Sequence, residues 1–156
     1  MAELSQARLW GLSSPELVAV FDQALVLAAE LNGGLLRLVR EIDARGVARS
    51  EGAASTAVWI RNRYRVSIRY AHRLVKTAAA VDAAPPVLGE AVAAGVVNQD
   101  QAEVIVRSLA NLPRDIATEI RDRAAAALVD YCAEHDPAQL GMIGRRILHV
   151  VGPDEA

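Results

Sequence analysis

Six cations stand together in a stretch of this sequence that contains no acid. Between Gly52 and Val81 the chain carries Arg61, Arg63, Arg65, Arg69, Arg73 and Lys76, with His72 among them and neither Asp nor Glu. That segment holds +6 in a chain whose net charge is −2, which leaves −8 for everything else. Arginine presents a planar fork of donors that matches phosphate oxygens, so a confined arginine cluster suits a polyanion. Helical spacing sharpens the pattern. At about 100° per residue, Arg69, His72, Arg73 and Lys76 fall within an arc of about 100°. Ile68, Ala71, Leu74, Val75, Ala78 and Val81 occupy the opposite side, so a helix here buries one face and turns a basic stripe outward.

Two short helices joined around Val66-Ser67, the second bearing that stripe, make a helix-turn-helix-like pair over residues 55–81. In such a pair the second helix enters the major groove and the first crosses the backbone. Arg61, Arg63 and Arg65 then suit phosphate positioning, and residues early in the second helix lie nearest base edges. A competing reading stands beside this one. A four-residue basic stripe also serves as a solvated face, or pairs with acids of a neighbouring helix such as Asp115, Glu119 or Asp122, and the turn lacks the glycine common in these motifs.

Other chemistry is thin. Cys132 and His135 are three apart, but a structural zinc needs four ligands and the chain has three histidines in all. As a thiol dyad the pair lacks an orienting third group, and a buried structural thiol is the plainer reading. The turn from Gly95 to Asn98 also resembles a helix-turn-helix corner, but Asp100 and Glu103 on the following helix suit packing rather than DNA. There is no glycine-rich phosphate loop and no convincing carboxylate pair. The expectation is a chain with no complete catalytic motif, no metal, no cofactor and no small-molecule substrate.

The elements that must position the basic stripe are helices. With 53% apolar residues and only 4% aromatic, the composition favours close-packed Ala, Leu and Val helices over a β-sandwich. Ser13-Ser14-Pro15-Glu16 is a start signal, after a lead-in over residues 1–13. Leu17, Phe21, Ala24, Ala28, Leu31, Leu35, Leu38 and Ile42 then keep an unbroken heptad spacing. The seam holds phase across Asn32-Gly33-Gly34, which predicts one helix from about 15 to 44, with room for a bend at Gly33 and a stop at Gly46. Within one chain, helices at 113–134 and 137–151 would have to cover this seam with largely small alanines; a second copy is the simpler cover.

Residues 46–54 read as a loop. Ser55 caps a helix from Thr56 to about Arg65, and Ser67 caps another to about Val81. Further helices are expected over 87–94, 99–110, 113–134 and from 137 to about 151, with a tail at 152–156. The strict alternation from Trp59 to Tyr70 also fits an exposed strand, and a β-hairpin there is the rival to the helical pair. Trp59 and Leu74 are expected in the core. No apolar stretch reaches the roughly 18–20 residues of a membrane span and no signal peptide is evident, while one cysteine suits a reducing compartment, so the expected location is cytoplasmic. Arginine supplies sixteen of the seventeen cations, which with so many alanines also reflects a GC-rich genome.

Several segments, in order, resemble a known family. They are Leu36 to Gly46 ("LRLVREIDARG"), Gly52 to Ile60 ("GAASTAVWI"), Ala71 to Val75, the Leu88 to Gly95 helix, Gln101 to Ile105, Leu112-Pro113, and Asp136 to Leu140. Together they resemble the actinobacterial 13E12 repeat family, whose shared region is domain of unknown function 222, across about residues 15–150. The resemblance implies a DNA-associated role, because that region typically precedes an HNH endonuclease module, often in multicopy or phage-linked genes. It carries over no catalytic residue. His72, His135 and His149 do not sit in an HNH-like setting, and the sequence stops at Ala156, where the nuclease would join. The expectation is therefore an N-terminal fragment or a free-standing copy.

The reading of the sequence is an all-α domain over 14–151 that binds or targets duplex DNA through residues 55–76, with the heptad helix as scaffold or dimer seam. The alternative is a dimerisation or protein-interaction module with no nucleic-acid contact.

Overall fold

The computed structural model describes residues 9–151, and every described element is helical. The expected tail at 152–156, and residues 1–8 of the expected lead-in, lie outside the described residues. A 3₁₀ turn at Leu9–Gly11 precedes α1 (Ser14–Ala44), α2 (Val47–Ser50), α3 (Thr56–Tyr64) and α4 (Ile68–Asp82). Then follow α5 (Pro86–Ala93), α6 (Gln99–Ala110), α7 (Thr118–Tyr131) and α8 (Pro137–Val151).

The starts are set by local chemistry. Ser55 accepts from the Val58 N–H and Ser67 from the Tyr70 N–H. Asn98 with Gln101 and Asp136 with Gln139 exchange reciprocal bonds as capping boxes. α1 ends at Arg45, after which Gly46 takes φ +65, the left-handed conformation a glycine adopts without strain.

Helix α4 is the hub, packed on α1, α3, α5 and α6; α5 lies on α1 and α7, and α6 on α8. Ala71, Leu74, Leu88, Ala102, Ile105, Leu128 and Leu140 form the buried centre. Buried Gln101 ties α6 to the α7–α8 turn, its amide donating to the carbonyls of Cys132 (2.9 Å) and His135 (3.0 Å).

Gly33 explains how α1 docks. A methyl there would collide with the Val92 carbonyl oxygen, so the missing side chain lets the two backbones touch. Gly34, beside it, has nothing within 4 Å of where a Cβ would stand. The helix passes through both glycines unbroken.

Several expectations are corrected. The helix expected from 113 begins only at Thr118. The Pro113 carbonyl accepts from the Ile116 N–H in a turn, and Arg121 reaches back to the carbonyls of Leu109 (2.9 Å) and Pro113 (3.3 Å), holding that turn open. Residues 46–54 include one helical turn, α2. Alternation from Trp59 to Tyr70 marks no strand: it crosses two helices and the three-residue link between them. Leu74 is buried at 2% exposure, but Trp59 is only half-buried, because its indole N–H reaches out to Glu51 (2.7 Å).

Most of the heptad seam does not dock α1; of its residues Leu35 packs partly against the core. Leu17, Phe21, Leu31 and Leu38 are 40–64% exposed, Ala28 is exposed, and Ala24, Leu35 and Ile42 are intermediate. The residues buried in the bundle are Gly33, Leu36 and Val39, which lie about 160°, 100° and 40° around the helix from the seam midline. Their partners are chiefly α4 and α5, not the helices at 113–134 and 137–151.

The expectation that no apolar stretch reaches spanning length is corrected too. α1 contains an eighteen-residue window of mean hydropathy 1.3, enough by length and composition to cross a membrane, and only 6% of that window is buried. An uninterrupted run misses it because Asp22, Gln23 and Glu30 break the sequence without lowering the average enough. Asp22 would cost about 2.5–3.5 kcal/mol at a bilayer centre.

Candidate nucleic-acid interface

The three-residue link between α3 and α4 is Arg65-Val66-Ser67, and Arg65 takes φ 57 and ψ 32. It is the only non-glycine residue with positive φ among those described. The left-handed residue that glycine commonly supplies in such a turn is here an arginine, at about 1–2 kcal/mol of strain. Its side chain is exposed beside the N-terminus of α4, where Ser67 takes one of the orphan N–H groups. The remaining free N–H groups and the helix dipole favour an anion at that end.

Around the turn, Arg61, Arg63, Arg65, Arg69, His72, Arg73 and Lys76 are all exposed, but they are not equivalent. The Arg61 Nε donates to the Asn62 side-chain oxygen at 3.0 Å. Arg63 lies over the Trp59 ring, 5.3 Å from its centroid, and reaches Glu51 at 3.6 Å. Arg73 is held by two acids: its Nε donates to Glu103 at 2.7 Å and its other nitrogen to Asp100. These charged hydrogen bonds raise Arg73 further above its ordinary pKa. Glu103 is partly buried, which pushes its carboxyl up, but bonds from Arg73, Thr77 and Gln99 outweigh burial and hold it below the ordinary carboxylate value.

Arg73 is thus removed from the set of free phosphate ligands and becomes a clamp between α4 and α6. The acids are Asp100 and Glu103, not Asp115, Glu119 or Asp122. Arg65, Arg69, His72 and Lys76 have no acidic partner within 4.0 Å among the described residues.

Two further residues, Tyr64 and Tyr70, join the surface without having been expected there. They are 60% and 41% exposed within the same pair. Exposed rings interleaved with cations can hydrogen-bond phosphates or stack on bases. Their interleaving with arginine is plain in the sequence, but the alternation assigns both rings to an apolar face.

A family model described as a domain of unknown function, DUF222, matches residues 18–156. The chain belongs to the DUF222 family. No curated protein and no solved structure matches it. The match runs through the whole of α3 and α4, so the basic pair lies inside the DUF222 region rather than beside it.

The rest of the DUF222 surface offers less chemistry. A cleft of about 540 Å³ between α1, α4 and α5 has the Arg40–Asp82 ion pair (2.7 Å) among its lining residues. Cys132 turns its sulfur to the Leu128 carbonyl (3.3 Å), while His135 Nδ1 donates to the Tyr131 carbonyl (3.0 Å), so the two side chains serve different backbone groups. Burial pushes the Cys132 thiol up to about 11, far from a reactive thiolate. No group of three or more His, Cys, Asp or Glu among the described residues is placed to hold a metal.

Proposed function

We propose that the α3–α4 pair is a nucleic-acid contact surface and that this DUF222 chain binds or targets duplex DNA. The observation that carries the reading is the set of exposed cations without acidic partners among the described residues, Arg65 in the turn and Arg69, His72 and Lys76 along one stripe of α4. Arg65 and Arg69 flank the positive end of the helix, where a phosphate gains from both the dipole and the guanidinium groups. Arg61 and Arg63 extend the surface along α3. Arg69 and His72, early in the second helix, are the groups nearest base edges in a major-groove docking. In the setting that the 13E12 resemblance implies, strand cleavage is left to an HNH module and this region supplies the grip.

The test is duplex binding by the full chain at two salt concentrations. Replacing Arg65, Arg69 and Lys76 together with Gln should weaken binding and flatten the log–log salt dependence by about three units, near 0.9 per lost phosphate contact. Arg73 is left intact because its loss would release Asp100 and Glu103 and change the packing of α4. A triple variant that binds duplex as tightly as the parent, with the same salt slope, overturns the proposal.

A second reading, an assembly module whose basic face only solubilises, is favoured by one observation. The apolar N-terminal half of α1 is bare, and exposed apolar patches of more than a few hundred Å² mark interaction surfaces.

A further inference from the structure

We propose that two copies of this chain pair through the N-terminal half of α1 as an antiparallel, two-fold symmetric helix pair. This gives the assembly reading a partner and a register, and it stands or falls without reference to nucleic acid.

By side-chain size the seam reads the same in both directions: two large residues, two alanines, two large residues. With Leu17, Ala24 and Leu31 at heptad position d, and Phe21, Ala28 and Leu35 at position a, one register matches every layer. It sets Phe21 opposite the partner's Leu31 and Ala24 opposite the partner's Ala28, and at each end Leu17 meets the still accessible side of the partner's Leu35, which also packs against its own core. Each layer joins one a residue to one d residue, as antiparallel helices require. Large side chains meet at the ends and two alanine layers meet in the middle, where the helices can approach closely. Leu25 and Leu27, 54% and 49% exposed, close over the alanine layers from either side.

Three further observations select a second copy as the occupant. The first is area. Leu17, Phe21, Leu25, Leu27 and Leu31 are each 40–64% exposed, and Trp10 in the preceding turn is 85% exposed. Together they leave on the order of 700–900 Å² uncovered, close to the roughly 800 Å² per partner of a standard interface. The second is charge. Glu16, Asp22 and Glu30 all lie about 100° or more from the seam midline, so the symmetric pairing brings no like charges face to face. That acidic outer face is the reverse of the Lys- and Arg-rich face of a helix lying on anionic lipid. The third is access: Gly33 and Leu36 lie about 160° and 100° around the helix from the seam midline, and Val39, at about 40°, lies beyond Leu35, the last layer of the pairing, so a second helix can lie along residues 17–31 while the bundle stays docked.

The experiment has two arms, both on the full chain without nucleic acid. In sedimentation at micromolar to tens of micromolar concentration, the parent should run at twice the 16.7 kDa chain mass. The double variant Phe21→Glu with Leu31→Glu should run as one chain with unchanged helical circular dichroism. For the register, chains carrying Ala24→Cys are mixed with chains carrying Ala28→Cys and oxidised; buried Cys132 stays reduced. Mixed disulfides should dominate over self-linked chains by several-fold. A single-chain parent overturns the proposal, whether it stays free or floats with phosphatidylcholine–phosphatidylserine vesicles. Ala24→Cys linking mainly to itself also overturns it, since that marks a parallel pair. Because the crosslinking arm leaves the large seam residues intact, its result stands even where the double variant fails to fold.

Discussion

From Ser14 to Leu31, α1 stands nearly bare; from Asn32 to Ala44 it is docked on α4 and α5. One heptad pattern runs through both halves, yet only the second half buries anything fully, and it buries a different face. Heptad spacing therefore reports that a helix has an apolar seam without reporting who covers it. What docks the second half is local shape: Gly33 admits the Val92 carbonyl, and Leu36 and Val39, each 3% exposed, fill the space beyond. The first half has the larger side chains, and among the described residues little beyond the turn at Leu9 lies beside them.

The contrast is broken most directly by truncating one large side chain in each half. Leu36→Ala should cost about 2–5 kcal/mol of unfolding free energy, as buried leucine truncations do. Phe21→Ala, at 62% exposure, should stay within about 0.5 kcal/mol when measured at concentrations low enough to keep single chains. Urea denaturation of the two variants beside the parent makes the comparison. Equal losses would mean that the N-terminal half is covered within the chain.

Gly33→Ala probes the docking contact itself. Its added methyl meets a backbone carbonyl, which cannot rotate away as a side chain would. Overpacking of this kind costs about 1–3 kcal/mol. The loss should come with weaker amide protection at the α1–α5 contact, while protection in α6, α7 and α8 stays at the parent level. Uniform loosening of all helices would instead mean that α1 is an integral part of one cooperative core.

Much of this architecture is legible in the sequence, for reasons that differ by scale. Ser55, Ser67, Asn98 with Gln101 and Asp136 with Gln139 mark helix starts because a cap is settled within three residues. The buried face of α4 is legible because Ala71, Leu74 and Ala78 keep a helical period. Three things are not. The fates of Arg73 and Glu103 depend on residues 30 apart that meet only after α4 and α6 pack. The turn at Pro113–Ile116 depends on Arg121 reaching back to two carbonyls, which no local propensity encodes. The two adjacent glycines look alike in sequence, and only the position of Val92 separates them.

Gly34→Ala carries the smallest expected effect and isolates that last point. Gly34 lies in the helix interior, is exposed, has no positive φ, and meets nothing within 4 Å where a methyl would go. A glycine there costs about 0.8–1 kcal/mol relative to alanine, through the backbone freedom it adds to the unfolded chain. Replacing it should therefore raise stability by about that amount, opposite in sign to the change one residue earlier. Thermal unfolding of Gly33→Ala, Gly34→Ala and the double variant gives both signs and their additivity in one series. The gain requires the chain to be helical through residue 34 in solution, joining the bare half rigidly to the docked half. A loss at Gly34→Ala would place a left-handed or broken backbone there. The bare half would then be a hinged arm, no longer a rigid continuation of the docked helix.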